Sequence, residues 1–156
     1  MSQLPPHQAP QPMTTIDDYA AIRGVITPRF FAYLIDLVVI ALLMLVLFMV
    51  VAVLGAITFG LAWFLFPLVG ACTGILYSAV TVSGERQSTI GMRLMGLKVI
   101  GPYGRPDFIT AAIHALFFYV AASTGFLLAI DIITGFLRSD RRMLHDVLAQ
   151  LAVIRD

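Results

Sequence analysis

This sequence is poor in charge. Asp, Glu, Lys and Arg make 12% of its 156 residues, about half the share of an ordinary soluble chain. So few charges cannot clothe a domain in water, and the mean hydropathy of +0.93 agrees. The formal net charge of +1 gives no electrostatic reason to expect a nucleic-acid partner. Cysteine is nearly missing: Cys72 alone excludes an internal disulfide and a thiolate metal site, and reads as a small buried apolar residue. Catalytic signatures are missing too. The chain has no HExxH, no GxSxG and no phosphate-cradling glycine loop, so neither an enzyme nor a cofactor is expected. His7, His114 and His145 are too scattered to argue a metal site. Residues 1–20 lack the basic and apolar regions of a signal peptide. Rich in Pro and Gln, they read as a disordered tail ahead of one membrane domain, residues 21–156.

What the chain has instead is long apolar runs. From Phe30 to Leu54 only Tyr33 and Asp36 are ionisable, and a helix of that length reaches ~37 Å, enough to cross a ~30 Å hydrocarbon core. Thr27-Pro28 suits its first turn. After a short link, Gly55 to Gly60, a second span is expected over about 61–82, kinked by Pro67. Along it Gly70, Gly74 and Ser78 form a small-residue stripe for helix packing, with Thr73, Tyr77 and Thr81 as a hydroxyl stripe beside it. That second stripe lines a polar path if it faces Asp36. The polar loop 83–108 contains Ser88 to Leu97, an interfacial helix signal, and Leu97 to Ile100, a strand signal. Its Arg86, Arg93, Lys98 and Arg105 place it in the cytoplasm by the positive-inside rule.

Residues 109–137 are long enough for one tilted span, yet they contain His114, Ser123-Thr124-Gly125 and Asp131, and a second basic stretch, 138–156, follows. A single span would put that tail on the side opposite the basic loop. A break near Ser123–Gly125 would instead make a re-entrant hairpin, and would let 151–154 pair with 97–100 as a short cytoplasmic β pairing. The expected fold is therefore all-α and membrane-embedded: two full transmembrane helices plus a broken, re-entrant hydrophobic hairpin. Three full transmembrane helices is the alternative.

An acid inside an apolar helix is a functional candidate by default. Asp36 reads either as a proton- or cation-exchanging carboxylate or as half of an ion pair with Arg29 or a tail arginine. Arg29 reads as an interface anchor that can also pair with Asp146 and clamp the tail against the start of the first helix. In the hairpin arrangement His114 and Asp131 lie at similar depth and would form a proton relay with Asp36.

Three stretches resemble the RDD family of small bacterial membrane proteins: Pro28-Arg29-Phe30-Phe31-Ala32-Tyr33-Leu34-Ile35-Asp36, the loop Thr89 to Val99, and the closing Leu144-His145-Asp146 with the apolar run after it. Ile90 and Met92 stand where proline and lysine are usual, and Gln150-Leu151 where Gly-Thr is usual. The resemblance implies Arg29, Asp36 and Asp146 as signature residues and a multi-pass protein of the cytoplasmic (inner) membrane, with its N-terminus in the cytoplasm. It also implies transport, with exchange of monovalent cations for protons as one suggestion. The other expectation is a non-transporting scaffold or accessory subunit for another membrane protein. Two spans offer few walls for a pathway, so a homo-oligomer or a membrane partner is expected within the lipid bilayer.

Overall fold

The structure is a computed structural model and describes Ile22 and residues 24–156; the tail expected over residues 1–20 lies outside them. Helix α1 runs Ile26–Ile57, longer at both ends than the apolar run from Phe30 to Leu54. Pro28 sits in its first turn, where a missing N–H costs nothing because no acceptor is available there. The helix thus takes in part of the expected link. A turn at 58–60 leads into a single 3-10 turn, Leu61–Leu65, and then α2, Phe66–Val82. Pro67 therefore starts α2 and does not kink it, because no α-helical turn precedes its ring. Trp63 closes this end of the hairpin. A Cβ on Gly55 would lie 1.8 Å from the Trp63 ring, so only glycine admits the indole against α1.

The loop after α2 contains α3, Ile90–Leu94, whose N-cap Thr89 accepts the Met92 N–H. It is shorter than the expected Ser88–Leu97. Gly96 turns the chain at φ +64°, and Leu97 already belongs to strand β1, Leu97–Ile100. The third hydrophobic segment is two helices, α4 over Phe108–Ser123 and α5 over Gly125–Leu137, separated by the extended Thr124. Asp107 caps α4 by accepting the Thr110 N–H. A short α6, Leu144–Leu148, and strand β2, Ala152–Arg155, end the chain. β1 and β2 pair antiparallel, Leu97 opposite Arg155 and Ile100 opposite Ala152. The pairing begins at Ala152 and not Leu151 because the Leu151 backbone is already used. Its N–H closes α6 on the Asp146 carbonyl, and its carbonyl accepts from Arg142 Nε at 2.9 Å.

The apolar core lies at one end, where Val25, Val82, Leu97, Val99, Leu151 and Val153 meet. Elsewhere the helices are thinly covered. The most apolar 18-residue window of α1 is 6% buried, and Leu42, Val46, Met49 and Val53 are exposed. A helix this apolar with this little cover is not the core helix of a soluble domain. Ile26–Ile57 and Leu61–Val82 are both long and apolar enough to cross a membrane. Cys72, expected to be buried, is half-buried.

Candidate functional site: two buried carboxylate clusters

The first heptad of α1 presents Arg29 and Asp36, two turns apart on one face. Each side chain goes to a different partner, so they are not an ion pair. Asp36 receives three hydrogen bonds. Tyr77 of α2 donates its hydroxyl to Oδ1 at 2.7 Å, the Gly91 N–H donates to the same oxygen at 2.8 Å, and Thr89 donates its hydroxyl to Oδ2 at 2.6 Å. The Tyr77 oxygen in turn accepts the Ile90 N–H at 3.0 Å. The carboxylate therefore latches α1 to α2 and to the start of α3. α3 is not a helix lying loosely on an interface: its first turn is bonded into the core. Gly91 makes this possible, since a Cβ there would meet the Ala32 carbonyl at 2.1 Å.

The second cluster surrounds Asp146, which is fully buried. Arg29 Nη2 and the Met143 N–H donate to its Oδ2. On the other oxygen, His114 Nε2 lies 2.9 Å and His145 Nε2 3.2 Å away. The far side of the His145 ring faces Asp131, with Nδ1 at 2.8 and 2.9 Å from its two oxygens. Asp131 also accepts the His145 backbone N–H at 2.8 Å, so a mid-helix residue of α5 caps the start of α6. Asp131 and Asp146 are among the largest fully buried side chains. Burial pushes the Asp146 carboxyl upward, but Arg29 and then the two histidines outweigh it and hold it well below the usual carboxylate range.

Several sequence expectations need correction. The relay linking Asp36 to His114 and Asp131 does not form, because the two histidine-binding carboxylates are Asp131 and Asp146 while Asp36 is satisfied by hydroxyls and a backbone N–H. Arg29 is no surface anchor; it is 8% exposed and also reaches the Arg141 carbonyl. Thr73 and Thr81 bond the carbonyls of Val69 and Tyr77 in their own helix, leaving Tyr77 as the one member of that stripe on Asp36. Gly74 and Ser78 pack on Tyr119 of α4, the latter with oxygens 3.4 Å apart. A Cβ on Gly70 would meet nothing among the described residues within 4 Å. His114 and His145, too distant in sequence to suggest a metal site, have ring centroids 4.8 Å apart. Thr89, Gly91 and His145 were missed as site residues. The His145-Asp146 dipeptide was the one signal that could have flagged the last.

A family model described as the RDD family matches residues 23–150, a span that includes Arg29, Asp36 and Asp146. The chain belongs to the RDD family. Comparisons with curated proteins and with solved structures give no match. Family membership together with the uncovered apolar helices makes this RDD protein a membrane protein.

Proposed function

We propose that this RDD protein exchanges a cation for protons across the cytoplasmic (inner) membrane, and that the exchanging groups are in the Asp131–His145–Asp146–His114 cluster, not at Asp36. One observation carries the reading: the His145 ring lies between two buried carboxylates, with a nitrogen facing each. A titratable ring held between two acids, beside a second imidazole and an arginine, is an arrangement in which proton and cation compete for the same oxygens.

Topology supports it. Leu37 to Ile57 contains no ionisable residue and as helix covers ~31 Å, the full hydrocarbon thickness. The two clusters then sit at the membrane's edge, shielded by protein. α4 and α5, at 16 and 13 residues, reach ~24 and ~20 Å, short of a full crossing each. β1 precedes them and β2 follows them in one sheet, which favours a segment that enters and returns over a third span. The basic loop and tail flank that sheet, favouring the cytoplasmic side. A second copy would supply the walls that two spans lack.

The test is proton flux. Protein in liposomes containing a pH-sensitive dye is pulsed with Na⁺, Li⁺ and K⁺ and, in separate runs, with Zn²⁺ and Co²⁺. Flux is expected in the wild type and in Asp36→Asn, and its loss in Asp131→Asn. Absence of flux from the wild type with every one of these ions would defeat the exchange reading. It would favour the scaffold, whose partner would use the uncovered face of α1, because Tyr119 already occupies Gly74 and Ser78.

A further inference from the structure

We infer that His114 Nε2, His145 Nε2 and Asp146 Oδ1 form a binding site for a divalent transition-metal cation of the zinc, cobalt or nickel type. This deepens the exchange reading and rests on it for its role, while binding itself is measured without transport.

The three donor atoms come from two elements, α4 and α6, and converge from different directions. All lie within 4.8 Å of one another, with the two nitrogens 2.9 and 3.2 Å from the carboxylate oxygen. A tetrahedral ion with bonds of ~2.0–2.1 Å separates its ligands by ~3.3 Å. Two of the three separations therefore need an expansion of only a few tenths of an ångström, while the two histidine nitrogens, 4.8 Å apart, must close by about 1.5 Å through rotation of their rings. The surroundings are those of a ligand set. His145 Nδ1 faces the Asp131 carboxylate, which selects the tautomer whose Nε2 lone pair points inward, and such a carboxylate–histidine contact orients metal-bound imidazoles generally. Arg29 and the Met143 N–H hold Asp146 Oδ2, leaving Oδ1 turned toward both rings.

Without a cation, that inward lone pair would face a carboxylate oxygen at 3.2 Å. Something positive must lie between them. A proton on each ring answers, and so does one metal ion. The charges also allow the metal: Asp131 and Asp146 offset part of a dication's charge, although Arg29 opposes it. Two nitrogens and one oxygen suit borderline cations, not the oxygen-seeking Na⁺, Mg²⁺ or Ca²⁺. Three protein ligands leave a fourth position for water or for a cation's onward partner.

The experiment uses the full chain, purified in detergent and stripped with a chelator. Titration with Co²⁺ is followed by its ligand-field absorption, and Zn²⁺ is measured by competition with a chromophoric chelator. One equivalent per chain with a tetrahedral cobalt spectrum is expected. His114→Gln keeps an N–H donor for Asp146 but removes a ligand, and should abolish stoichiometric binding while its metal-free melting temperature stays near wild type. Asp131→Asn should weaken binding 10–100-fold. No stoichiometric binding by the wild type overturns the inference, as does binding that survives both His114→Gln and Asp131→Asn. Metal binding without any flux sinks the transport reading alone; flux without metal binding sinks this one alone.

Discussion

Asp36 gives the sharpest test of the division between latch and exchange site. Its three partners all donate, two through hydroxyls and one through the Gly91 N–H. Asp36→Ala leaves all three without an acceptor. A buried unpaired donor costs ~1–3 kcal/mol, and the two hydroxyls can rotate toward other acceptors where the backbone N–H cannot. The sum is about 3–5 kcal/mol. Asp36→Asn is different. Its carbonyl oxygen can take the place of Oδ1 under Tyr77 and Gly91, and its NH₂ can donate to Thr89, whose oxygen has a lone pair to spare beside the Met92 N–H it already accepts. What is lost is the charge-assisted part, about 1 kcal/mol. The assay is equilibrium unfolding in mixed micelles. A loss for Asp36→Ala below about 1 kcal/mol would refute the latch, since three hydrogen bonds at even the ~0.6 kcal/mol average between membrane helices exceed that. An Asp36→Asn loss equal to that of Asp36→Ala would show that charge, not geometry, holds the site.

Gly91→Ala drives a Cβ into the Ala32 carbonyl and should cost about 2–3 kcal/mol in the same assay, against the ~1 kcal/mol gain that alanine brings to an unobstructed helix; a stabilised variant would mean that α3 does not dock this closely. Tyr77→Phe removes a donor to Asp36 and an acceptor for Ile90 together, a loss of about 1–2 kcal/mol, and its thermal midpoint should fall accordingly. Gln150 adopts φ +56°, so Gln150→Gly should stabilise by roughly 0.5–1 kcal/mol and Gln150→Val should destabilise, as denaturation midpoints would reveal. In a double-mutant cycle of Arg29→Gln with Asp146→Asn, coupling of about 1.5 kcal/mol or more is expected for a buried charge pair; strict additivity would remove the clamp from the account.

The elements of this fold were legible where a single physical signal dominates. The two long apolar runs, the break at Thr124 and the existence, though not the register, of the pairing between the strand after α3 and the strand after α6 follow from hydropathy, turn chemistry and the basic residues on both flanks. Pro67 was misjudged because the 3-10 turn before it is stabilised by Trp63 against Gly55, a contact between residues that nothing local announces. The candidate site was half legible. Arg29, Asp36, His114, Asp131 and Asp146 stand out as ionisable groups in an apolar chain, and all are buried. Arg29 with Asp146 was within reach of sequence reasoning and forms; the other pairings did not stand out, because they depend on where α6 docks. Helical spacing put Arg29 and Asp36 on one face but could not say that each faces a different later element. Thr89 and Gly91 were invisible as ligands of Asp36 because a hydroxyl and a backbone N–H in a polar loop look like any others. Gln150 shows the converse. A glycine usual at that place is replaced, yet the left-handed backbone remains, since the Leu151 N–H still has to reach the Asp146 carbonyl.

The arrangement also explains why the signature residues occur so far apart. α1 buries little apolar surface against the rest of the chain, so apolar packing alone fixes neither its rotation nor its height. Two side chains, one heptad apart, do that instead. Asp36 binds the loop before β1, and Arg29 binds the helix before β2. The β pairing ties those two segments together in turn. Each latch therefore depends on the other through the sheet, and releasing either frees α1 to rotate. Cooperative loss follows from this connectivity. Asp36→Ala should loosen the histidine cluster, although it touches none of it, and hydrogen exchange at the His145 N–H, bonded to Asp131, would show the change. Unaltered protection there, in a variant whose Gly91 N–H has become exposed, would mean that the two clusters are independent and that the sheet transmits nothing between them.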